Sequence, residues 1–76
     1  MTTPSDLGQL AADELARAQD LHRPMASAHE GYAVILEELE ELWEEVRKKH
    51  PDKQRMREEA LQVAAMALRF IHDLAD

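Results

Sequence analysis

The sequence lacks cysteine altogether and has little glycine, proline or aromatic side chain. Among 76 residues there is no Cys, and Gly occurs twice, Pro three times, and Trp, Tyr and Phe once each. Without Cys, neither a disulfide nor a thiolate metal site can hold the chain together. The scarcity of aromatic and β-branched residues excludes a β-sheet scaffold. The scarcity of Gly and Pro excludes collagen-like and loop-rich folds.

Basic residues and long apolar runs are scarce as well. Lys and Arg number 9 against 16 Asp and Glu, which gives a formal net charge of −7. Phosphate contacts need a basic surface, so we expect no nucleic-acid partner. No apolar run approaches the roughly 20 residues of a membrane span, and the N-terminus has neither the basic nor the apolar region of a signal peptide. We expect a soluble, cytoplasmic protein without a membrane partner.

Three segments combine a helical spacing of apolar residues with start and stop signals. Thr3, Ser27 and Asp52 are predicted N-caps, and Pro24 and Pro51 end the helices that precede them. The predicted helices cover residues 4–23, 28–49 and 53–74. Residues 1–76 therefore form one all-α domain, in which the last two helices pack as an antiparallel hairpin.

The third helix carries more apolar surface than two neighbours can cover. Residues 60–71 are apolar around nearly the whole circumference of the helix. A chain of this length is also marginally stable alone, because it buries only about 60% of its unfolded surface. We expect a homodimer or homotetramer, an oligomeric helical bundle with these residues at or near its interface: Val63, Met66, Ala67 and Phe70.

The segment E-E-L-E-E-L-W-E-E, residues 37–45, has two interpretations. A run of Glu beside an apolar arc is most often a solvated helix face. Glu38 and Glu41, however, are three residues apart and therefore neighbours on one face, where like charges repel. A hard divalent cation turns that repulsion into binding, because Mg²⁺ and Mn²⁺ prefer carboxylate oxygens. With a turn near Pro51, Glu59 of the third helix falls level with Glu41.

The flanking pattern is similar to that of a known family. The string L-E-E-L-E-E-L-W-E-E-V, followed 17 residues after Glu41 by E-E-A-L-Q-V-A-A-M-A, resembles the MazG-like members of the all-α NTP pyrophosphohydrolase superfamily. Members carry E-x-x-E on one helix and E-x-x-D on the next. Glu38 and Glu41 match the first pair and Glu59 opens the second, while Gln62 stands where the family has Asp. The resemblance covers about residues 28–74.

The resemblance implies both an activity and a site. It implies Mg²⁺-dependent (or Mn²⁺-dependent) cleavage of a nucleoside triphosphate substrate to monophosphate and pyrophosphate, in a dimer or tetramer of paired helical hairpins. It makes Glu38, Glu41 and Glu59 the catalytic residues and metal ligands, with Gln62 as an uncharged fourth ligand. The loss of one negative ligand leaves an alternative open, a non-catalytic oligomerisation or interaction module that keeps the MazG-like fold.

Overall fold

The computed structural model describes residues 1–76 and is all-helical, with three α-helices and no strands. Helix α1 spans Pro4–Leu21, α2 spans Ala28–Val46 and α3 spans Lys53–Phe70, and a π-helical turn, Ile71–Ala75, continues from α3. Helix α3 packs against both α1 and α2 and is therefore the central element. None of the helices has the length and apolar character needed to cross a bilayer.

The helix starts follow the predicted caps. The side chain of Thr3 accepts a hydrogen bond from the Asp6 amide, and the Asp6 carboxylate accepts one from the Thr3 amide. These reciprocal bonds satisfy two of the amides that a helix leaves free at its start. Asp52 caps α3 by accepting from the amides of the second and third helical residues, Gln54 and Arg55.

The cap of α2 differs from a complete capping box. The Ser27 hydroxyl accepts a hydrogen bond from the Glu30 amide, as predicted. The Glu30 carboxylate pairs with Arg23, with 3.4 Å between Nη2 and Oε2. Ser27 therefore caps the helix, and Glu30 ties α2 to the segment that precedes it.

The first two helices end earlier than predicted, whereas the third continues as a π-helical turn to Ala75. Helix α1 ends at Leu21 because His22 is already extended, with φ −132° and ψ 149°. Helix α2 ends at Val46, so that the basic residues before Pro51 lie in the connecting turn. Helix α3 changes to π-helical hydrogen bonding at Ile71. Apolar periodicity predicts well where a helix lies but predicts its last turn poorly, because fraying and capping determine where a helix ends.

The core within one chain is shallow. Six of 76 residues are buried and no large side chain is completely so, which leaves much of the apolar surface uncovered. Met66 is buried inside the single chain, Val63 and Phe70 are half-buried, and Ala67 is exposed. Of the residues expected near an interface, Met66 therefore already packs within the single chain.

Close packing between α2 and α3 depends on Gly31. A Cβ atom at this position would lie 2.5 Å from Cδ2 of Phe70 and 3.0 Å from a methyl group of Leu74. These distances are shorter than van der Waals contact, so the absent side chain of Gly31 lets the start of α2 approach the end of α3.

The outer face of α2 carries an uncovered apolar stripe. Its members follow one another in steps of four and three residues, the spacing of a helix-pairing seam. Each exposes between 38% and 66% of its surface. The stripe consists of Tyr32, Leu36, Leu39, Trp43 and Val46.

Candidate metal centre and adjoining groove

Three of the four predicted ligands converge. Glu38 and Glu41 of α2 and Glu59 of α3 each offer one carboxylate oxygen, and these three oxygens lie within 4.8 Å of one another. We call this group the carboxylate cluster. Glu38 and Glu59 are half-buried and Glu41 is exposed. The two α2 members meet because they are one turn apart, and Glu59 joins them because α3 packs along α2.

The cluster perturbs its own ionisation. Burial, and then the charges of Glu41 and Glu59, raise the pKa of Glu38 to about 7. Burial and the charges of Glu41 and Glu45 also raise the pKa of Glu59. Both shifts have the same physical cause, since carboxylates that are removed from water and held near like charges resist ionisation.

The donor set fits a hard divalent cation. Carboxylate oxygens are the ligands that Mg²⁺ and Mn²⁺ prefer, and one or two carboxylates already suffice for many protein-bound Mg²⁺ ions. Burial is the largest cause of these raised pKa values and repulsion between the carboxylates adds to it; a cation among the three oxygens would relieve the repulsion. Glu38, Glu41 and Glu59 are thus suited to hold such an ion.

Gln62 lies one turn beyond Glu59 and has a partner in α1. Its Nε2 donates to Oε2 of Glu14 over 2.6 Å. Glu14 also accepts from Nη2 of Arg17 over 2.9 Å. The hydrogen bonds from Arg17 and Gln62 lower the pKa of Glu14.

Glu14 is a neighbour of the candidate site that the sequence did not indicate. It is 48 positions away from Gln62, and within α1 it reads as one more surface acid of an amphipathic helix. No short-range pattern could have assigned it to the neighbourhood of the cluster.

A groove of about 540 Å³ runs between the three helices beside this cluster. Glu38 is the cluster member that lines it, together with Gln62. Acidic and basic side chains share its walls, and two of the arginines, Arg17 and Arg23, are paired with the acids Glu14 and Glu30. Its charged lining is Glu14, Glu30, Glu37 and Glu38 with Arg17, Arg23 and Arg69.

Arg69 is a buried cation in the groove wall. Its side chain is 8% exposed, and its Nη2 donates to the carbonyl oxygen of Arg23 over 2.7 Å. Its Nε lies 3.6 Å from Oδ2 of Asp73, which accepts from the Met25 amide over 2.9 Å. A hydrogen bond from His72, and then the one from Met25, lower the pKa of Asp73. The end of α3 therefore fastens the α1–α2 connection at the groove.

Comparisons of the chain with models of protein families, with curated proteins and with solved structures found no match. The similarity to the MazG-like pattern therefore rests on the motif residues and their spacing.

Proposed function

We propose that this protein is a metal-dependent nucleotide pyrophosphohydrolase of MazG-like type, which cleaves (deoxy)nucleoside triphosphates to monophosphate and pyrophosphate. The observation that carries the proposal is the convergence of Glu38, Glu41 and Glu59 beside a groove that also contains arginine side chains. A phosphate chain with its divalent cation needs both kinds of group within reach.

In this proposal the acidic residues bind the cation and the basic residues bind phosphate. Glu38, Glu41 and Glu59 would hold Mg²⁺ or Mn²⁺, with the side-chain oxygen of Gln62 as an uncharged addition. When bound, the ion neutralises phosphate charge and lowers the pKa of a bound water. Three negative ligands in place of four bind the cation less tightly, so we expect slow turnover.

The arginines give the groove its affinity for phosphate. Guanidinium groups bind phosphate oxygens through paired, charge-assisted hydrogen bonds. Arg17 and Arg23 are exposed ion-pair partners of Glu14 and Glu30 and can exchange those acids for phosphate. Arg69 is fixed by its buried contacts, so it offers its remaining donors without reorganisation.

We infer that α2 and α3 form an antiparallel hairpin around this site. Two contacts support it. Gly31, near the start of α2, lies against Phe70 at the end of α3, and Glu38, in the middle of α2, lies near Glu59 in the first half of α3. This register also explains why the acids meet near the middle of α2.

The uncovered apolar surface supports a homo-oligomer. At 100° per residue, the apolar stripe of α2 lies about 120–180° around that helix from Val34, which lines the groove. On α3, the exposed Ala60, Ala64, Ala67 and Ile71 lie about 140–180° from Gln62, which contacts α1. The hairpin therefore has α1 on one face and an apolar face on the other.

A second copy of this face is the occupant that we propose. Two such faces packed together form a four-helix core, in which the small side chains of α3 allow close approach. This packing would bury apolar surface that the shallow core of the single chain leaves exposed. Sedimentation equilibrium should give a dimer or tetramer, and Trp43→Glu should lower the mass. A folded wild-type monomer at micromolar concentration would refute the assembly.

Pyrophosphate release tests the activity. We expect slow release from common nucleoside triphosphates with Mg²⁺ or Mn²⁺, and no release by Glu41→Gln. Glu40→Gln is the matched control, because it removes an exposed charge from the same helix outside the cluster. Gln62→Asp should raise both metal affinity and turnover. If no nucleotide yields pyrophosphate with either metal, and Gln62→Asp creates no activity, the enzyme proposal fails.

Two observations favour the second candidate, a non-catalytic helical interaction module. Gln62 replaces a charged ligand of the family pattern, and the exposed stripe of α2 is suited to helix pairing whether or not chemistry occurs. The module would form the same oligomer with a Glu41→Gln substitution and would respond to no nucleotide. Nucleotide-dependent protection of the groove against hydrogen exchange separates the two candidates.

A further inference from the structure

We propose that two copies of this chain pack antiparallel through their apolar faces, so that the connections between α2 and α3 lie at opposite ends of the pair. The charge of that connection, residues 47–57, carries the inference, and we call these residues the basic tip. The inference rests on the homo-oligomer of the proposed function. It adds the relative orientation of the two copies, and it depends neither on the metal site nor on catalysis.

The basic tip holds most of the positive charge of the chain. Six of the nine Lys and Arg residues lie in it beside one acid, Asp52, which gives the tip a formal charge of +5. All six are exposed. Arg47 pairs with Glu44 and Lys48 pairs with Glu45. Four cations of the tip form no ion pair: Lys49, Lys53, Arg55 and Arg57.

Helix α2, directly before the tip, carries the opposite charge. Its 19 residues include seven Glu and neither Lys nor Arg. Six of these acids lie within residues 37–45, which we call the acidic band. Each hairpin therefore has a basic end next to an acidic middle, and its charge is strongly asymmetric along its length.

The basic tip extends into the apolar face of the hairpin. On α3, steps of four and three residues keep a series of exposed side chains on one side of the helix. The series is Lys53, Arg57, Ala60, Ala64, Ala67 and Ile71. Its first two members are cations at the same end as Val46, the last residue of the α2 stripe. Charges of the tip therefore adjoin the surface that a second copy would cover.

Charge distinguishes the two ways of pairing these faces. The apolar stripe of α2 extends seven residues to either side of Leu39, so both orientations bury similar apolar surface. A parallel pair would place two tips of +5 side by side and the two acidic bands level with each other, and like charges across an interface repel. An antiparallel pair separates the tips and brings each one towards acids of the other copy.

Spin labels at three heights of α2 measure the orientation. Ala33, Glu40 and Arg47 are exposed and lie seven residues apart, hence on one side of the helix. Because the chain has no Cys, a Cys introduced at each position in turn takes a single nitroxide label. Double electron–electron resonance then gives the distance between the two labels of a pair, and sedimentation checks that each labelled variant still associates.

The expected pattern does not depend on where the two-fold axis crosses α2. A parallel pair gives the same distance at all three positions. In an antiparallel pair, position 33 or 47 lies at least seven residues from the axis, which separates its two labels by about 21 Å or more along the helix at 1.5 Å per residue. We expect unequal distances, with the largest at one of the two outer positions.

Reversing one cation of the tip tests the cause. Lys53→Glu and Arg55→Glu are matched, because each places an acid in the first turn of α3, where it favours the helix start. Two residues turn the helix by about 200°, so only Lys53 lies in the outward-facing series. We expect Lys53→Glu to raise the dissociation constant of the pair about 5-fold relative to Arg55→Glu, through lost attraction to the other copy. In a parallel pair the same change would relieve repulsion between the tips and tighten association.

Two results would overturn the inference. The first is three equal label distances, and the second is a Lys53→Glu variant that associates as tightly as Arg55→Glu or more tightly. A wild type that sediments as a monomer would remove the proposed assembly together with the inference. Activity is decided separately, since an antiparallel pair that releases no pyrophosphate would refute the enzyme and leave the orientation in place.

Discussion

Replacing Glu38 with Gln should stabilise the metal-free protein at alkaline pH and leave its stability nearly unchanged at acid pH. Glu38 is the half-buried member of the cluster that lines the groove, and burial together with Glu41 and Glu59 raises its pKa from 4.5 to about 7. Gln keeps the shape of the side chain and removes the charge. The substitution therefore isolates the electrostatic part of the interaction.

The sign follows from proton binding. Below pH 4.5 both the folded and the unfolded chain carry the proton on Glu38, and the native state suffers no penalty. Between pH 4.5 and about 7 the unfolded chain ionises first, so the free energy of unfolding falls as pH rises. Above the folded pKa the loss is complete. The raised pKa of Glu59 acts in the same direction.

The magnitude follows from the size of the shift. A change from 4.5 to about 7 corresponds to about 3 kcal/mol at 1.36 kcal/mol per pKa unit. Solvent screening of a side chain that is only partly buried reduces this to about 1–2 kcal/mol. For a domain of this length each kcal/mol moves the unfolding midpoint by about 4–8 °C.

Thermal unfolding with EDTA, at one protein concentration and at pH 4 and pH 8, tests the prediction. Glu38→Gln should unfold at a higher temperature than wild type at pH 8 and at about the same temperature at pH 4. Adding Mg²⁺ at pH 8 should raise the wild-type midpoint, because a ligand that binds only the native state stabilises it. The variant should respond weakly.

Glu40→Gln is the matched control, since Glu40 is exposed on the same helix and lies outside the cluster. A gain in Glu40→Gln equal to that in Glu38→Gln would mean that net charge alone is responsible. A Glu38→Gln variant that is destabilised at pH 8 would refute the reasoning, because it would show that the Glu38 charge is favourable in the native state.

Three further predictions follow from packing, capping and the buried ion pair. In urea titrations, Gly31→Ala should lower the free energy of unfolding by about 1–2 kcal/mol, because the new Cβ would lie 2.5 Å from the Phe70 ring. Gly8→Ala is the control: a Cβ there would have nothing within 4 Å, so the substitution should raise the free energy of unfolding by about 0.5–1 kcal/mol. Asp52→Ala should cost about 1 kcal/mol by the same assay through loss of the α3 cap. Arg69→Met should remove the contacts that hold the α1–α2 connection and speed amide hydrogen exchange in that connection. Unchanged exchange would show that Arg69 does not stabilise it.

Local chemistry made part of this structure predictable. Thr3, Ser27 and Asp52 were identifiable as caps because a cap depends on residues two or three positions away. The meeting of Glu38 and Glu41 follows from helical periodicity, and that of Glu59 with them follows from the short connection at Pro51. The all-α class and the number of helices are confirmed for the same reason.

Features that depend on which side of a helix faces which neighbour were not predictable. We expected the apolar third helix to supply the interface between chains. It is the central helix of the chain, so Met66 is buried by packing within that chain. Ala67 stays exposed on α3, and α2 carries a further exposed apolar stripe. Glu14 and Gln62 are in contact although 48 positions separate them in the sequence, and helical periodicity cannot predict a contact between such distant residues.

The arrangement of the acids bears on whether the cluster is a solvated face or a cation site. Helix α2 also carries acids that stay exposed to water, as Glu40 and Glu44 do. Glu38 instead lies where burial and two neighbouring carboxylates oppose its ionisation. In a chain with so shallow a core, a penalty of about 1–2 kcal/mol is a large fraction of the total stability. Such violations of local preference concentrate at functional sites, and a divalent cation is the ligand that we propose here, because it would convert repulsion into binding.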